Sequence, residues 1–187
     1  MKKIAIFASG TGSNAQKIVA YFEKNTHICV SLIVSNRADA AVLDFAKQKG
    51  IETLLLTKKD FYESEQLLEI LAQRKIDFIA LAGFLWLAPS YLVRAFERRM
   101  VNIHPALLPD FGGQGMYGHR VHEAVKAAGR TETGISIHFV NENYDEGNII
   151  LQVKCDIYST DSVADIAQKV LALEHQYFAP TIESLLV

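Results

Sequence analysis

Short apolar runs that alternate with stretches of helical periodicity constrain this chain more than any other feature. Ile4-Ala5-Ile6-Phe7-Ala8 is continuously apolar and rich in strand formers, as expected of a parallel strand covered on both faces. The turn Ser9-Gly10-Thr11-Gly12-Ser13-Asn14 follows at once, and from Ala15 to Lys24 the residues Ile18, Val19, Tyr21 and Phe22 recur at helical spacing. The polar pair Ser13-Asn14 is expected to start that helix.

The pattern then repeats. Strands are predicted at 29–34, 53–56 and 78–82, with helices at 40–49 and 65–75 between them. A short helix after Pro89 carries Tyr91, Leu92 and Phe96, and Met100-Val101-Asn102-Ile103 reads as a strand halted by His104-Pro105. Such alternation predicts an α/β fold with a Rossmann-like, doubly wound, mostly parallel sheet. The second part differs: a glycine-rich loop over 109–118, a helix at 119–128, then strands at 134–140 and 149–157 joined by a polar turn, the signature of an added antiparallel hairpin. A long helix from about 162 to 186 closes the chain, capped by Thr160 or Asp161, and Pro180 should kink or break it.

At 187 residues one core, not two, is expected. Half the residues are hydrophobic, 21% are charged and the net charge is −2, which argues against disorder and against a basic nucleic-acid footprint. Cys29 and Cys155 lie in apolar runs without metal-ligand spacing and read as buried reduced thiols. The first apolar run is too short for a signal peptide, and no stretch approaches the roughly 18 to 20 apolar residues a membrane helix needs. A cytoplasmic protein is expected.

Several residues can carry chemistry. Gly10-x-Gly12-x-x-Ala15 fits the dinucleotide fingerprint, but Ser35-Asn36-Arg37 offers no carboxylate for ribose hydroxyls, which disfavours NAD and leaves NADP open through Arg37. Ser13 and Asn14 beside free backbone N–H groups equally suit a phosphate monoester. Asn102 and His104 share one side of a strand whose carboxyl end is where open α/β sheets bind ligands. An amide donor and an imidazole on one face can hold an oxyanion and move a proton. Asp145, in the acidic turn after the next strand, is placed to orient an imidazole and raise its pKa. Ser136, His138 and Val140 share a face of that strand, so His138 is either polar company for the site or a packing residue.

The strings SGTGSN at 9–14, LAGF at 81–84, NIHPALLP at 102–109, IHFVNENYDEG at 137–147 and LEH at 173–175 together resemble the folate-dependent formyltransferases, and SGTGSN narrows the resemblance to the glycinamide ribonucleotide branch. It runs in order through essentially the whole chain. The resemblance implies formyl transfer from 10-formyltetrahydrofolate, as co-substrate, to the amine of 5-phosphoribosylglycinamide in purine biosynthesis, by direct attack through a tetrahedral oxyanion. It implies no metal, small-molecule substrates, no nucleic acid or membrane partner, and a monomer or homodimer.

By position, the resemblance makes Asn102, His104 and Asp145 catalytic, and the strand-face reading adds His138 as a supporting candidate. It assigns Gly10, Thr11, Gly12, Ser13 and Asn14 to the substrate phosphate and Glu174 to the ribose. It assigns Phe84, Leu85, Trp86, Leu87, Val140, Asn141 and Tyr144 to the folate. The whole of 1–187 would then be a single formyltransferase domain, with a phosphate-binding half over 1–100 and a catalytic and folate-binding half over 101–187.

This chain departs from the familiar pattern at Leu85-Trp86-Leu87, which replaces a longer segment containing arginine, and at 61–65, where a basic phosphate-binding residue is missing. The glycine-rich loop over 111–118 replaces a shorter proline-containing turn and is expected to move over the substrate. The alternatives are hydrolysis of formyltetrahydrofolate, transfer to methionyl-tRNA, which normally brings a second basic domain, and an NADP-binding oxidoreductase or nucleotide-binding module.

Overall fold

A computed structural model describes all residues from Met1 to Val187. Seven strands form one sheet: β1 (Lys2–Phe7), β2 (Ile28–Ser35), β3 (Glu52–Leu55), β4 (Phe78–Leu81), β5 (Met100–His104), β6 (Glu132–Phe139) and β7 (Ile149–Asp156). Their order is β3-β2-β1-β4-β5-β6-β7, with β1 to β5 parallel and β6 and β7 antiparallel. The doubly wound sheet with an added hairpin is therefore as the alternation implies.

Seven helices accompany it: α1 (Ser13–Phe22), α2 (Ala41–Gln48), α3 (Lys58–Tyr62), α4 (Gln66–Gln73), α5 (Ser90–Ala95), α6 (His119–Ala127) and α7 (Val163–Leu186). Alternation along the strands sends side chains into two cores. Ile4, Ile6, Ile33, Val101, Ile135 and Ile137 pack under α1, α2, α6 and α7. Ala5, Phe7, Leu32, Val34 and Ile79 pack under α3, α4 and α5. Fully buried Phe61 and Phe178 anchor the two layers, each contributing on the order of 1.5–3 kcal/mol.

The chain leaves β1 toward β2 on one side and crosses back to β4 on the other, so the sheet order reverses between β1 and β4. The two strand ends stay joined there, Ser9 N–H donating to the Gly83 carbonyl at 3.1 Å. A crevice at such a reversal, beyond the carboxyl ends of the strands, is where open α/β sheets hold ligands.

Five local expectations need correction. Helix α3 is absent from the sequence-based prediction; a capping box in which the Thr57 side chain accepts from the Asp60 N–H stabilises these five residues. Helix α1 is not capped by Ser13 or Asn14, because Gly12 holds the N-cap position at φ +73° and the Asn14 side chain turns to Glu174. The N-cap of α7 is Ser162 with Asp165, not Thr160 or Asp161. Nor does Pro180 break α7: Phe178, Ala179 and Ile182 stay buried on either side of it and hold one continuous stripe against the core. Cys29 and Cys155 are free, as expected, but half-buried where full burial is predicted.

Candidate active site

A cavity of about 800 Å³ opens at the β1/β4 reversal and extends past the end of β5. Its floor is built by register. Asn102 pairs with His138 and His104 with Ser136 across the antiparallel β5/β6 ladder, so all four side chains leave the same sheet face. Where helices cover that face under β1, β2 and β4, the segment after Pro105 covers it here. Ser136 Oγ donates to the Ala106 carbonyl at 2.7 Å and accepts from the Leu108 N–H at 2.9 Å, which fixes this segment against β6.

Asp145, on the β6–β7 loop with φ +57°, brings the polar groups together. Its Oδ1 accepts from Asn102 Nδ2 at 3.2 Å, and its Oδ2 accepts from the Gly113 N–H at 3.0 Å and stands 3.4 Å from His104 Nδ1. His138 Nδ1 donates to the Phe139 carbonyl at 2.8 Å, which leaves Nε2 to accept from Asn102 Nδ2 at 3.1 Å. The Phe111 carbonyl accepts from His104 Nε2 at 2.7 Å. Both nitrogens of His104 therefore face oxygen acceptors.

Burial pushes the His104 pKa below its ordinary value, against the opposing pull of Asp145 and the Phe111 carbonyl. The expected net rise therefore does not occur: at 3% exposure the loss of solvation outweighs the carboxylate. Burial also raises the Asp145 pKa, but the contacts with His138, His104 and the Gly113 N–H outweigh it, and the carboxyl lies below the usual range.

At the other end of the cavity the first turn of α1 carries no acidic residue and no side-chain cap, so its N–H groups are open to an anion. Gly10, Thr11 and Asn14 line the cavity. Gly12 and Ser13 do not: a Cβ at Gly12 would run into Val42, so this glycine serves the close approach of α2. Asn14 Nδ2 donates to Glu174 Oε2 at 2.7 Å, and burial raises the Glu174 pKa, partly offset by that bond. Arg37 also reaches the cavity, held in a two-point pair with Asp39 at 3.1 and 2.7 Å.

Between the two ends runs an apolar wall. Phe84, Leu85, Trp86, Leu87, Val140 and Tyr144 all line the cavity. Phe84 packs edge-on against Phe7 and Phe61, and Trp86 lies 5.5 Å from Phe61, so α3 supports the segment that replaces the arginine-containing one. Asn141 is outside the lining; its side chain accepts from the Asn143 N–H at 3.0 Å and closes a turn of the loop. His119 and His122 of α6 and Met116 and Tyr117 of the glycine-rich loop line the cavity too. Met116 and Tyr117 belong to the loop expected to move over the substrate, while the only sequence signal for His119 and His122 is their i, i+3 spacing on one helix face.

An amide, an imidazole and a carboxylate share this cavity with an open helix N-terminus, an arrangement that suits an α/β protein of the group-transfer class. Residues 2–182 match the formyl transferase family, and the chain belongs to it. Phosphoribosylglycinamide formyltransferase of Bacillus subtilis is 34% identical over 191 residues, covering all of this chain and 95% of that protein. The chloroplastic phosphoribosylglycinamide formyltransferases of Arabidopsis thaliana and Vigna unguiculata are 39% and 41% identical, and the chain spans 65% and 61% of their lengths. The crystal structure of glycinamide ribonucleotide transformylase 1 from Geobacillus kaustophilus superposes with a TM-score of 0.89 at 33% identity, covering both chains fully.

Proposed function

We propose that this protein transfers the formyl group of 10-formyltetrahydrofolate to the amine of 5-phosphoribosylglycinamide, a step of purine biosynthesis in the cytoplasm. The observation that carries this reading is the convergence of Asn102, His104 and Asp145 in the same cavity as the open α1 N-terminus and Glu174. The half over 1–100 supplies the phosphate end and the half over 101–187 the reacting centre, within one formyltransferase unit.

The folate supplies an activated formyl carbon; the acceptor amine adds to it, and the bond from that carbon to the folate nitrogen breaks as the resulting tetrahedral oxyanion collapses. The aromatic and aliphatic wall from Phe84 to Leu87, with Val140 and Tyr144, suits a flat ring system. His104 is neutral at rest and takes the proton released by the attacking amine on Nδ1. Protonation turns the facing Nδ1 lone pair and Asp145 carboxylate into a charge-assisted hydrogen bond, so Asp145 stabilises the imidazolium only once it forms. His104 then returns the proton to the departing nitrogen. Asn102 donates to the developing oxyanion; its amide nitrogen serves Asp145 and His138 at rest, and neither bond is short, so one is exchanged as charge develops. His138 holds the Asn102 amide in register.

The test is spectroscopic: the formyl donor should be consumed only when glycinamide ribonucleotide is also present. Consumption without an acceptor would instead assign hydrolysis of the formyl folate.

A further inference from the structure

The transfer scheme leaves a buried histidine of the cavity without a task. His122 lies on α6 one turn after His119, is 7% exposed, and lines the cavity together with His104 and Glu174. Its Nδ1 is sealed from solvent with no hydrogen-bond partner, and no protein group bonds its Nε2, the ring's accessible nitrogen. A buried polar ring left unpaired costs stability, and Val121 and Val125 already give α6 its buried apolar contacts. Packing therefore gives no reason for an imidazole at this place.

Burial, with help from His119 and His104, pushes the His122 pKa down to about 4, so the ring is neutral near pH 7. A sealed nitrogen without a partner is tolerated better as an acceptor than as a donor, which puts the proton on Nε2. His122 thus presents one N–H donor to the cavity in the neighbourhood of His104.

We propose that His122 is a binding residue for the acceptor substrate, its Nε2–H donating to the carbonyl oxygen of the glycinamide arm. This rests on the acceptor identified under the proposed function. That carbonyl adjoins the carbon bearing the attacking amine, so a donor near His104 falls to it, whereas the Glu174 carboxyl, held by the Asn14 amide, supplies acceptor oxygens for ribose hydroxyls. A neutral donor holds the carbonyl without competing for the proton that His104 must take.

Steady-state kinetics of the full chain with His122→Phe and His122→Gln test the assignment. His122→Phe should raise KM for glycinamide ribonucleotide about three- to tenfold, the loss of one neutral hydrogen bond, while KM for the formyl donor and kcat stay near wild type. His122→Gln, which keeps a donor, should recover part of the loss. In the wild type, glycinamide ribonucleotide added without donor should shift the ring ¹⁵N resonances of His122, a readout that needs no variant to fold. Unshifted resonances, or turnover by His122→Phe with an unchanged acceptor KM, overturn the assignment alone. A wild type that does not use glycinamide ribonucleotide at all overturns the acceptor reading and this assignment with it.

Discussion

His104 Nδ1 and Asp145 Oδ2 face each other at 3.4 Å while His104 Nε2 donates to the Phe111 carbonyl, so the ring is clamped between two oxygens before it carries a charge. The first prediction follows from that clamp. The His104 pKa is depressed by burial and partly restored by Asp145, so by NMR the ring should titrate below its ordinary value of 6.5. In Asp145→Asn the midpoint should fall further. Because the neutral ring is the competent form, the rate should be flat near neutrality and fall as pH drops through that midpoint. A midpoint above 6.5 in the wild type would contradict this.

Glu174 carries the opposite sign. Its folded-state pKa is raised by burial, so the stability it allows is fully present below the unfolded value, where the carboxyl is protonated, and is lost as pH rises through the folded one. Glu174→Gln mimics the protonated form and keeps an acceptor for Asn14. Its melting temperature should exceed that of the wild type at neutral pH and converge with it in acid, while acceptor KM rises. Equal melting temperatures at both pH values would sink this account.

His122 supplies a second linkage prediction. Its folded pKa of about 4 lies below the ordinary 6.5, so the unfolded chain gains the proton first and stability falls as pH drops from 6.5 toward 4. His122→Phe removes that liability. Thermal melts across this range should show a smaller acid loss for the variant than for the wild type.

Gly147 sets the geometry around His138. A Cβ there would run into the Phe139 carbonyl and approach His138 Nδ1 to 3.3 Å, the two groups whose hydrogen bond fixes the His138 tautomer. Gly147→Ala should therefore displace the loop bearing Asp145. We expect kcat to fall by at least about tenfold and the melting temperature to fall with it; an unchanged kcat would show that the loop adjusts without cost.

Trp86 tests the apolar wall. It packs in tilted contact with Phe61 and Tyr62 and lines the cavity, so Trp86→Ala should raise KM for the formyl donor more than KM for the acceptor. Equal rises in both would mean that the substitution only loosens the fold.

Much of this was legible in the residues. Continuous apolar strands and intervening helical periodicity fixed the sheet class, and the alternation of Asn102 with His104 placed both on one face. Helix α3 was missed because five residues are too few to show periodicity, although Thr57 and Asp60 marked its start. The behaviour at Pro180 was misjudged because buried neighbours on both sides override a local breaker. The His119-x-x-His122 spacing puts two histidines on one face of α6, but the burial of a single His122 nitrogen depends on how α6 docks, which spacing does not reveal. The direction of the His104 shift failed for a similar reason: pairing with Asp145 is legible in motifs, but the depth of burial is not.

The most direct test of the central claim compares formyl transfer from 10-formyltetrahydrofolate to glycinamide ribonucleotide by the wild type and by His104→Ala and Asn102→Ala. The account predicts an active wild type and losses of roughly 10²- to 10³-fold in kcat for Asn102→Ala, with a loss at least as large for His104→Ala and acceptor binding retained. Near-normal turnover by either variant would contradict it.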